Sequence, residues 1–412
     1  MSQPDSDAGL IIIGAGHAGV SVAEQLRRKQ YAGKITLIGK EPGLPYQRPP
    51  LSKQYLKGEW DRQRVLQRNA DFYSKQRIDL IDDDPVISID TDNRQVTLAS
   101  GQSLGWNKLV LTTGNRLKRL NIPGSDTEGI HYLQSLAHSD ALKSAMSAAQ
   151  RAVVIGGGYI GLEGAAAMAL AGIQVTLVNR SLTLLSRSAS GPVSDWLLRT
   201  HQQKGVNLEL GQTVSSIVTE NGSVSGVCLD DGRALEADLV LVGIGVEPDT
   251  ALAEAAGLNC RDGVLVDSKC VTSHPDILAA GDCTRFDHLL YERSVRLESI
   301  QNAVEQGKQV ASTLVGESVS YNAVPWFWSD QYDAKLQIAG LAEGHDLEVI
   351  RGDEHGERFS VFCYQQRRLV AVESVNAPAD HMMARKLLKA GVSPLPDDAA
   401  DPEFNLRGAL PS

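Results

Sequence analysis

Two glycine-rich turns decide the fold of this chain. Residues 11–19 read IIIGAGHAG, and residues 153–161 read VVIGGGYIG. Each turn follows a short run of β-branched residues and opens a helix-like stretch, the context that a dinucleotide-binding βαβ unit requires. Each also leads to a second apolar strand, residues 35–38 and 175–178, at the length of one βαβ crossover. One such unit binds one dinucleotide, so the repeat predicts two dinucleotides and electron transfer between them.

The composition is that of a soluble globular protein of two or three domains. The 412 residues are 42% hydrophobic and 22% charged, and the net charge is −10. This acidity argues against a nucleic-acid partner. The apolar stretches are strand-length, too short for a membrane span. Residues 1–8 are polar and acidic, unlike a signal peptide, so we expect a cytoplasmic protein.

The cysteines exclude two related chemistries. Five cysteines are scattered along the chain, with no CxxC pair and no zinc-ligand spacing, and we predict no metal site. A disulfide reductase needs a cysteine pair near the first turn or in the second domain, and a peroxide-type NADH oxidase needs one cysteine near that turn. Residues 40–55 contain none. Both readings therefore fail.

The pattern predicts an α/β protein with two Rossmann-like dinucleotide-binding domains and a small α+β C-terminal domain. The first domain is discontinuous, with residues 1–118 and 247–322, and residues 119–246 form the second. Residues 323–412 form the third. We expect strands at 336–338, 347–350, 359–364 and 369–375, a helix at 379–390, and an exposed or loose tail at 394–402.

The first turn has the features of a pyrophosphate site. Gly14 permits the tight bend, Gly16 lets the backbone approach the phosphates, and Gly19 allows the helix to pack closely on the strand. The free N–H groups of the following helix face the phosphates. The usual ribose-binding acid is displaced here, so we predict Lys40 and Glu41 as neighbours of the ribose or adenine.

A later Gly-Asp pair identifies the first dinucleotide as FAD. Asp282 follows a buried-type strand, where its carboxylate can bind the ribityl hydroxyls of a flavin, which NAD does not have. The residue also suits a helix N-cap, and the two roles are compatible. Residues 298–306 form a helix-like stretch that can direct its N-terminus at the flavin.

Charged residues near both turns are candidates for the reaction itself. Lys53 follows a rigid Arg-Pro-Pro turn, and it reads equally well as a positive charge near the flavin N5 or as a surface lysine. Tyr159 and Glu163 follow the second turn, where a nicotinamide would lie. Glu163 also suits a first-turn acid favoured by the helix dipole.

The choice of nicotinamide coenzyme is open from the residues. The second strand ends at Asn179 and Arg180, where an NAD-specific fold usually has Glu or Asp. A carboxylate binds the ribose 2′-hydroxyl and repels a 2′-phosphate, whereas an arginine accommodates the phosphate. We expect NADH, with NADPH possible.

Together these residues resemble the FAD-dependent, NAD(P)H-dependent ferredoxin and rubredoxin reductases of bacterial oxygenase systems. The resemblance covers nearly the whole chain. It is carried by GAGHAGV (14–20), YQRPPLSK (46–53), TTG (112–114), GGGYIGLE (156–163), GIGVEP (243–248), AAGDC (279–283), RLESIQNA (296–303) and PWFWSDQYDAKLQ (325–337). The second and the last of these are highly specific. The resemblance implies a glutathione-reductase-like fold with the reductase C-terminal domain.

The resemblance also implies roles at matching positions. The FAD contacts would be Gly14, Gly16, Ala18, Gly19, Lys40, Glu41, Arg48, Lys53, Val86, Thr113, Gly114, Gln134, Asp282, Glu298, Ile300 and Trp328. Gln134 stands where an arginine is more usual. The coenzyme contacts would be Gly156, Gly158, Tyr159, Ile160, Gly161, Glu163, Asn179, Arg180 and Gly245. Lys53 and Glu163 would be the catalytic pair beside the flavin N5 and the nicotinamide.

The implied reaction is hydride transfer from NADH to FAD, followed by single-electron transfer to a [2Fe-2S] ferredoxin that serves a cytochrome P450 or a Rieske oxygenase. Trp326 and Trp328 would lie at the ferredoxin-facing flavin edge, although core packing is an alternative for both. A basic face would attract the acidic partner, and its candidates are Arg293, Lys308, Arg385, Lys386 and Lys389. The oligomeric state is open between monomer and homodimer. The alternative functions are an NAD(P)H oxidase and an apoptosis-inducing-factor-like interaction protein.

Overall fold

The structure is a computed structural model, and it describes residues 8–411. Residues 1–7, which carry most of the prediction about a signal peptide, lie outside the described residues. The strands are β1 (Gly9–Ile13), β2 (Ile35–Ile38), β3 (Ile78–Ile81), β4 (Val86–Asp90), β5 (Gln95–Leu98), β6 (Ser103–Leu111), β7 (Asn115–Leu117), β8 (Ile130–His131), β9 (Arg151–Ile155), β10 (Gln174–Asn179), β11 (Asn207–Leu210), β12 (Val214–Glu220), β13 (Ser223–Leu229), β14 (Ala234–Glu236), β15 (Leu239–Val242), β16 (Val246–Pro248), β17 (Val264–Leu265), β18 (Ile277–Ala279), β19 (Thr284–His288), β20 (Arg293–Val295), β21 (Trp326–Gln331), β22 (Ala334–Gly340), β23 (Leu347–Gly352), β24 (Phe359–Gln365) and β25 (Arg368–Val375).

The helices are α1 (His17–Arg28), α2 (Ala70–Lys75), α3 (Leu136–Met146), α4 (Tyr159–Leu170), α5 (Gly191–Gln203), α6 (Ala251–Ala255), α7 (Ile300–Leu314), α8 (Pro378–Ala390) and α9 (Pro396–Ala400). Short 3₁₀ turns occupy Pro49–Ser52 and Leu406–Ala409.

The chain divides into two compact units. The first contains the described residues through Gln47, with Val65–Arg116 and Val246–Pro325. The second contains Arg48–Arg64, Leu117–Gly245 and the chain from Trp326 onward. Segment 48–64 joins the second unit through side-chain bonds, among them Ser139 Oγ to the Leu51 carbonyl at 2.8 Å. The three-domain division drawn from the sequence stays a prediction.

A mixed sheet is the centre of the first unit. Its order is β3-β2-β1-β6-β5-β4, and β18 also pairs with β6. The strands β1, β2, β3, β6 and β18 are parallel, while β4 and β5 form an antiparallel meander. Helices α1 and α7 pack against each other, and Gly307 permits this because a Cβ there would lie 2.7 Å from Ser21. Parallel pairing brings the carboxyl ends of β1 and β18 to one edge of the sheet, where ligands bind in such folds.

The second unit contains a parallel sheet and two antiparallel sheets. The parallel sheet has the order β11-β10-β9-β15-β8, and β12-β13-β14 form a three-stranded antiparallel sheet. The C-terminal segment forms a five-stranded antiparallel sheet in the order β21-β22-β25-β24-β23, with α8 packed on β25 and β22. The expected C-terminal strands and helix are present.

The tail differs from the prediction. Residues 394–402, expected to be exposed or loose, contain α9, and Ala399 is buried. Arg351 of β23 donates hydrogen bonds to the carbonyls of Ala399, Asp401 and Pro402. A buried guanidinium needs several acceptors, and the tail backbone supplies them. Composition does not reveal this distant partner.

Candidate functional site

The first glycine turn has the geometry of a phosphate cradle. Gly14 has φ +112°, and a Cβ there would lie 2.2 Å from the Thr112 carbonyl oxygen. A Cβ at Gly19 would lie 2.0 Å from the Gly14 oxygen, whereas no atom lies within 4 Å of one at Gly16. Helix α1 begins after Gly16 without a side-chain cap. An uncapped helix start beside the open space at Gly16 fits a pyrophosphate.

The second turn repeats this geometry within the second unit. Gly156 has φ +108°, and a Cβ there would lie 2.4 Å from the Gly243 oxygen. A Cβ at Gly161 would lie 2.0 Å from the Gly156 oxygen, whereas a Cβ at Gly158 would meet only the Gly243 oxygen, at 4.0 Å. Helix α4 also begins without a side-chain cap. The chain therefore contains two equivalent dinucleotide cradles.

Other predicted FAD residues lie near the first cradle. Gly281 packs on α1, because a Cβ there would lie 3.0 Å from the Ala18 Cβ. The neighbouring Asp282 accepts a hydrogen bond from Asn115 Nδ2 at 2.9 Å and is half-buried. Thr113 donates to the Asp249 carbonyl at 2.6 Å, and Gly114 adopts φ +70°. These contacts hold the carboxylate and the loop at the end of the parallel strands.

The residues predicted at the ribose and flavin ends have partners of their own. Lys40 lies 3.7 Å from Asp249 and is exposed, and Glu41 accepts a hydrogen bond from Tyr46. Val86 is buried in β4. Glu298 is exposed and pairs with Arg296, while Ile300 is the first residue of α7 after the Ser299 cap. The predicted helix thus begins two residues later than Glu298.

The structure brings Lys53 and Glu163 together inside the second unit. Lys53 Nζ lies 2.7 Å from Glu163 Oε2, and both side chains are buried, at 9% and 3% exposed. Ser52 donates to the same carboxylate, and Ser329 Oγ donates to Glu163 Oε1 at 2.6 Å. Both Glu163 oxygens thus have partners, which offsets part of the cost of burying the charge. The arrangement fixes one positive and one negative charge in a buried environment.

Ser52 and Ser329 are the site residues that the sequence analysis missed. Both lie in motifs quoted for the resemblance, but serine is too common to stand out by itself. Strand alternation would have pointed to Ser329, because it lies on the same strand face as Phe327. The Phe327 ring packs on Tyr159, a predicted coenzyme residue, with ring centroids 5.1 Å apart.

Two further predicted residues, Arg48 and Asn179, make direct hydrogen bonds to backbone groups. Arg48 Nη1 donates to the Gln134 carbonyl at 2.5 Å, so two predicted FAD residues meet. Asn179 Oδ1 accepts from the Gly157 N–H at 3.0 Å, and its Nδ2 donates to the carbonyls of Ser181 and Thr183. Asn179 therefore braces the second glycine turn.

The other predicted coenzyme residues differ in exposure. Ile160 is 40% exposed at the start of α4, and Arg180 is exposed after β10. Gly245 adopts φ +99°, and a Cβ there would lie 3.8 Å from Arg187. Burial raises the pKa of the Tyr159 hydroxyl.

The two tryptophans predicted at the ferredoxin-facing edge lie side by side. The rings of Trp328 and Trp326 stack with centroids 5.8 Å apart, and the Arg385 guanidinium lies 4.5 Å from the centroid of the Trp326 ring.

Burial favours the protonated form of four of the five cysteine thiols. Burial raises the pKa of Cys270, Cys283 and Cys363, and raises that of Cys260 to about 11. Thiolate is the reactive species, so these thiols are poor nucleophiles. In residues 8–411, none of the helices is long and apolar enough to cross a membrane.

Comparison with known proteins identifies the class. The chain belongs to the pyridine nucleotide-disulphide oxidoreductase family, whose model matches residues 9–307, and residues 326–410 match the reductase C-terminal domain. It is an oxidoreductase that uses FAD and a nicotinamide coenzyme, and the predicted fold class, family and cofactors are confirmed.

The relatives are narrower in function than the family. Rhodocoxin reductase of Rhodococcus erythropolis is 42% identical over 97% of this chain and 94% of its own. The crystal structure of the ferredoxin reductase for the CYP199A2 system from Rhodopseudomonas palustris is 42% identical, with a TM-score of 0.96 over 98% of this chain and all of that one. The covalent putidaredoxin reductase–putidaredoxin complex matches with a TM-score of 0.95 and 37% identity, over 98% of each chain.

Proposed function

We propose that this chain is an NADH-dependent ferredoxin reductase, which takes a hydride from NADH onto FAD and passes single electrons to a [2Fe-2S] ferredoxin. The observation that carries the proposal is the repeated glycine geometry, which gives two dinucleotide cradles. Because no reactive cysteine lies near the first cradle, the electrons are expected to pass to an external acceptor. The similar reductases serve redox partners, which supports this choice.

FAD is assigned to the first cradle. Gly14, Gly16 and Gly19 would hold the pyrophosphate, and Asp282 would bind the ribityl hydroxyls. FAD held there would supply two-electron acceptance from a hydride and one-electron release, chemistry that no side chain supplies.

The chain's own charges act on the reacting rings. The Lys53 ammonium offers a fixed positive charge where negative charge develops, and Glu163 holds the ammonium in place through their 2.7 Å contact. Because the pair is buried and its hydrogen bonds are formed in advance, little reorganisation is needed during the reaction. No general base or nucleophile is required.

The ferredoxin face is assigned to the C-terminal segment. Trp328 and Trp326 stack beside Arg385, so an aromatic surface lies next to a positive charge. An acidic ferredoxin fits such a surface by charge complementarity. We further propose that the protein works in the cytoplasm, as a monomer or homodimer, and that a cytochrome P450 or a Rieske oxygenase is the final electron acceptor.

The test is reduction of a [2Fe-2S] ferredoxin by NADH. Purified protein is expected to be yellow, and Trp328→Ala is expected to slow ferredoxin reduction about tenfold, as loss of an interface aromatic does, while ferricyanide reduction by NADH stays near normal. Trp60→Ala is the matched control, since Arg64 covers the Trp60 ring at 4.5 Å in a similar stack. A flavin-free preparation that cannot be reconstituted would end the proposal. Equal loss with both acceptors would remove Trp328 from the interface.

A further inference from the structure

A chain of side-chain hydrogen bonds leads away from Glu163 through the C-terminal strand β21. Ser329 Oγ donates to Glu163 Oε1 at 2.6 Å, and Gln331 Nε2 donates to Ser329 Oγ at 3.1 Å. Gln331 Oε1 lies 2.8 Å from His201 Nε2, and the Tyr332 hydroxyl lies 3.1 Å from His201 Nδ1. The chain connects α4, β21 and α5 within the second unit.

The direction of every bond in this chain is determined. The Gln331 amide donates through nitrogen, so its oxygen must accept from a protonated His201 Nε2. His201 Nδ1 then carries a lone pair and accepts from the Tyr332 hydroxyl. Burial lowers the pKa of His201, which favours this neutral form. Each donor therefore points towards the Glu163 carboxylate.

The chain is buried except at its outer end. His201, Ser329 and Gln331 are 0%, 1% and 3% exposed. Tyr332 is half-buried, and the Lys204 ammonium lies 5.6 Å from its ring. Polar groups buried to this degree cost stability unless all are satisfied, and apolar side chains would fill the same space at no such cost.

The strand does not need these side chains for its pairing. The main chain of β21 pairs with β22, with Ser329 opposite Leu336 and Gln331 opposite Ala334. Ser329 and Gln331 share one face of the strand, two residues apart, and that face meets α4. What they have in common is the path to Glu163.

We propose that Ser329, Gln331, His201 and Tyr332 form a polarised relay that positions the Glu163 carboxylate for the reaction with the nicotinamide coenzyme. With Oε1 occupied by Ser329, Oε2 stays directed at Lys53 and Ser52. The relay residues are positioning residues, because they act through Glu163. The C-terminal segment thus serves the coenzyme half-reaction as well as partner docking. The inference rests on the proposed role of Lys53 and Glu163.

The decisive experiment is anaerobic stopped-flow reduction of the bound flavin by NADH in the FAD-loaded enzyme. Ser329→Ala is expected to slow flavin reduction about tenfold, the usual effect of losing a hydrogen bond to a charged group. Ser329→Thr keeps the hydroxyl and is expected to restore the rate. Reoxidation of the reduced flavin by ferricyanide is expected to be unchanged in both variants.

Ser194→Ala is the matched control. Ser194 lies on α5, is 3% exposed, and its hydroxyl has no hydrogen-bond partner among the described residues. The control makes the same chemical change at the same burial and is expected to leave flavin reduction unchanged. Equal rates for the Ser329→Ala and Ser194→Ala variants would overturn the relay.

The far end of the relay gives an independent readout. Tyr332→Phe removes one hydroxyl at the half-buried end and is expected to slow flavin reduction about threefold with an unchanged melting temperature, since it weakens the chain without touching Glu163. This variant decides the question if Ser329→Ala fails to fold. No effect of Tyr332→Phe on the rate would contradict the relay. A wild-type enzyme whose flavin NADH does not reduce would instead contradict the proposed function.

Discussion

At the residue scale, both polar atoms of the Asn179 side chain form hydrogen bonds with the backbone around the second cradle. It accepts from Gly157 and donates to Ser181 and Thr183, so no carboxylate stands at the end of β10. Arg180, the next residue, is exposed and has no ion pair or hydrogen bond among the described residues. At these two positions the structure thus offers a 2′-phosphate a positive charge and no carboxylate.

Asn179→Asp is expected to sharpen the choice of coenzyme. Aspartate keeps the acceptor for the Gly157 N–H, loses the two donors to Ser181 and Thr183, and adds a negative charge. The value of kcat/KM for NADPH is therefore expected to fall at least about tenfold more than that for NADH. Steady-state ferricyanide reduction with both coenzymes measures the ratio. Arg180→Ala serves as the companion variant and is expected to weaken NADPH use alone. Parallel losses with both coenzymes in the two variants would show that this loop only supports the fold.

At the element scale, helix α8 presents a basic stripe. Met382, Arg385, Lys386 and Lys389 are all exposed and recur at helical spacing, while the other face of the helix is buried on the C-terminal sheet. Arg385 lies over Trp326, so the stripe is continuous with the aromatic pair. A net charge of −10 does not prevent such local steering, because screening makes charge act over short distances.

Reversing two charges on α8, with Lys386→Glu and Lys389→Glu together, is expected to lower the rate of ferredoxin reduction about tenfold at low salt and to flatten its salt dependence. Ferricyanide reduction is expected to be unchanged. The double variant Lys34→Glu and Lys75→Glu makes the same change in net charge at exposed sites of the first unit. If this control slows ferredoxin reduction equally, the stripe has no special role and total charge explains the effect.

At the scale of the whole molecule, a buried carboxylate makes stability depend on pH. Glu373 of β25 is 0% exposed and accepts from the N–H and the hydroxyl of Ser190, the N-cap of α5. Glu348 accepts from the Gly191 N–H and pairs with His345 at 2.8 Å. The C-terminal sheet thereby caps α5 with two acids. Burial raises the pKa of Glu373 to about 7 despite its hydrogen bonds to Ser190.

The raised pKa of Glu373 determines the direction in which stability changes with pH. A folded-state value of about 7 against an ordinary 4.5 means that the folded protein binds the proton more tightly. This stabilisation is complete below pH about 4.5 and is lost as pH rises through about 7; a shift of this size corresponds to roughly 3 kcal/mol.

The Glu373→Gln variant is expected not to lose stability through this carboxyl group as the pH rises, because glutamine does not ionise. The melting temperature of the wild type relative to that of the variant is expected to fall between pH 5 and pH 8. Melting temperatures of both proteins across that range measure the effect. Because the comparison is a difference, the titration of histidines that do not interact with Glu373 cancels, whereas His345, which interacts electrostatically with Glu373, still contributes. Glu403→Gln, at an exposed carboxylate, is expected to follow the wild type. A pH-independent difference for Glu373→Gln would show that the carboxylate is ionised throughout.

Local elements were predicted well from the sequence, whereas contacts between distant segments were not. The helix expected at 379–390 is observed as α8 from Pro378, since apolar spacing and a following glycine are local signals. Glu298 was placed at a helix start, but Ser299 takes the cap and leaves Glu298 paired with Arg296. Arg351 and the tail were missed, because the contact joins segments about 50 residues apart.

The sequence by itself determined the two dinucleotide cradles. Their geometry depends on positive φ and on close approach to neighbouring backbone, and only glycine at fixed spacing satisfies both. The tertiary structure decided how Glu163 is held. Its partners Ser52 and Ser329 lie 111 and 166 residues away along the chain, and only packing of three elements into one unit brings them to the carboxylate. A local steric rule can be read along a chain, whereas a buried charge depends on whichever distant groups the fold places around it.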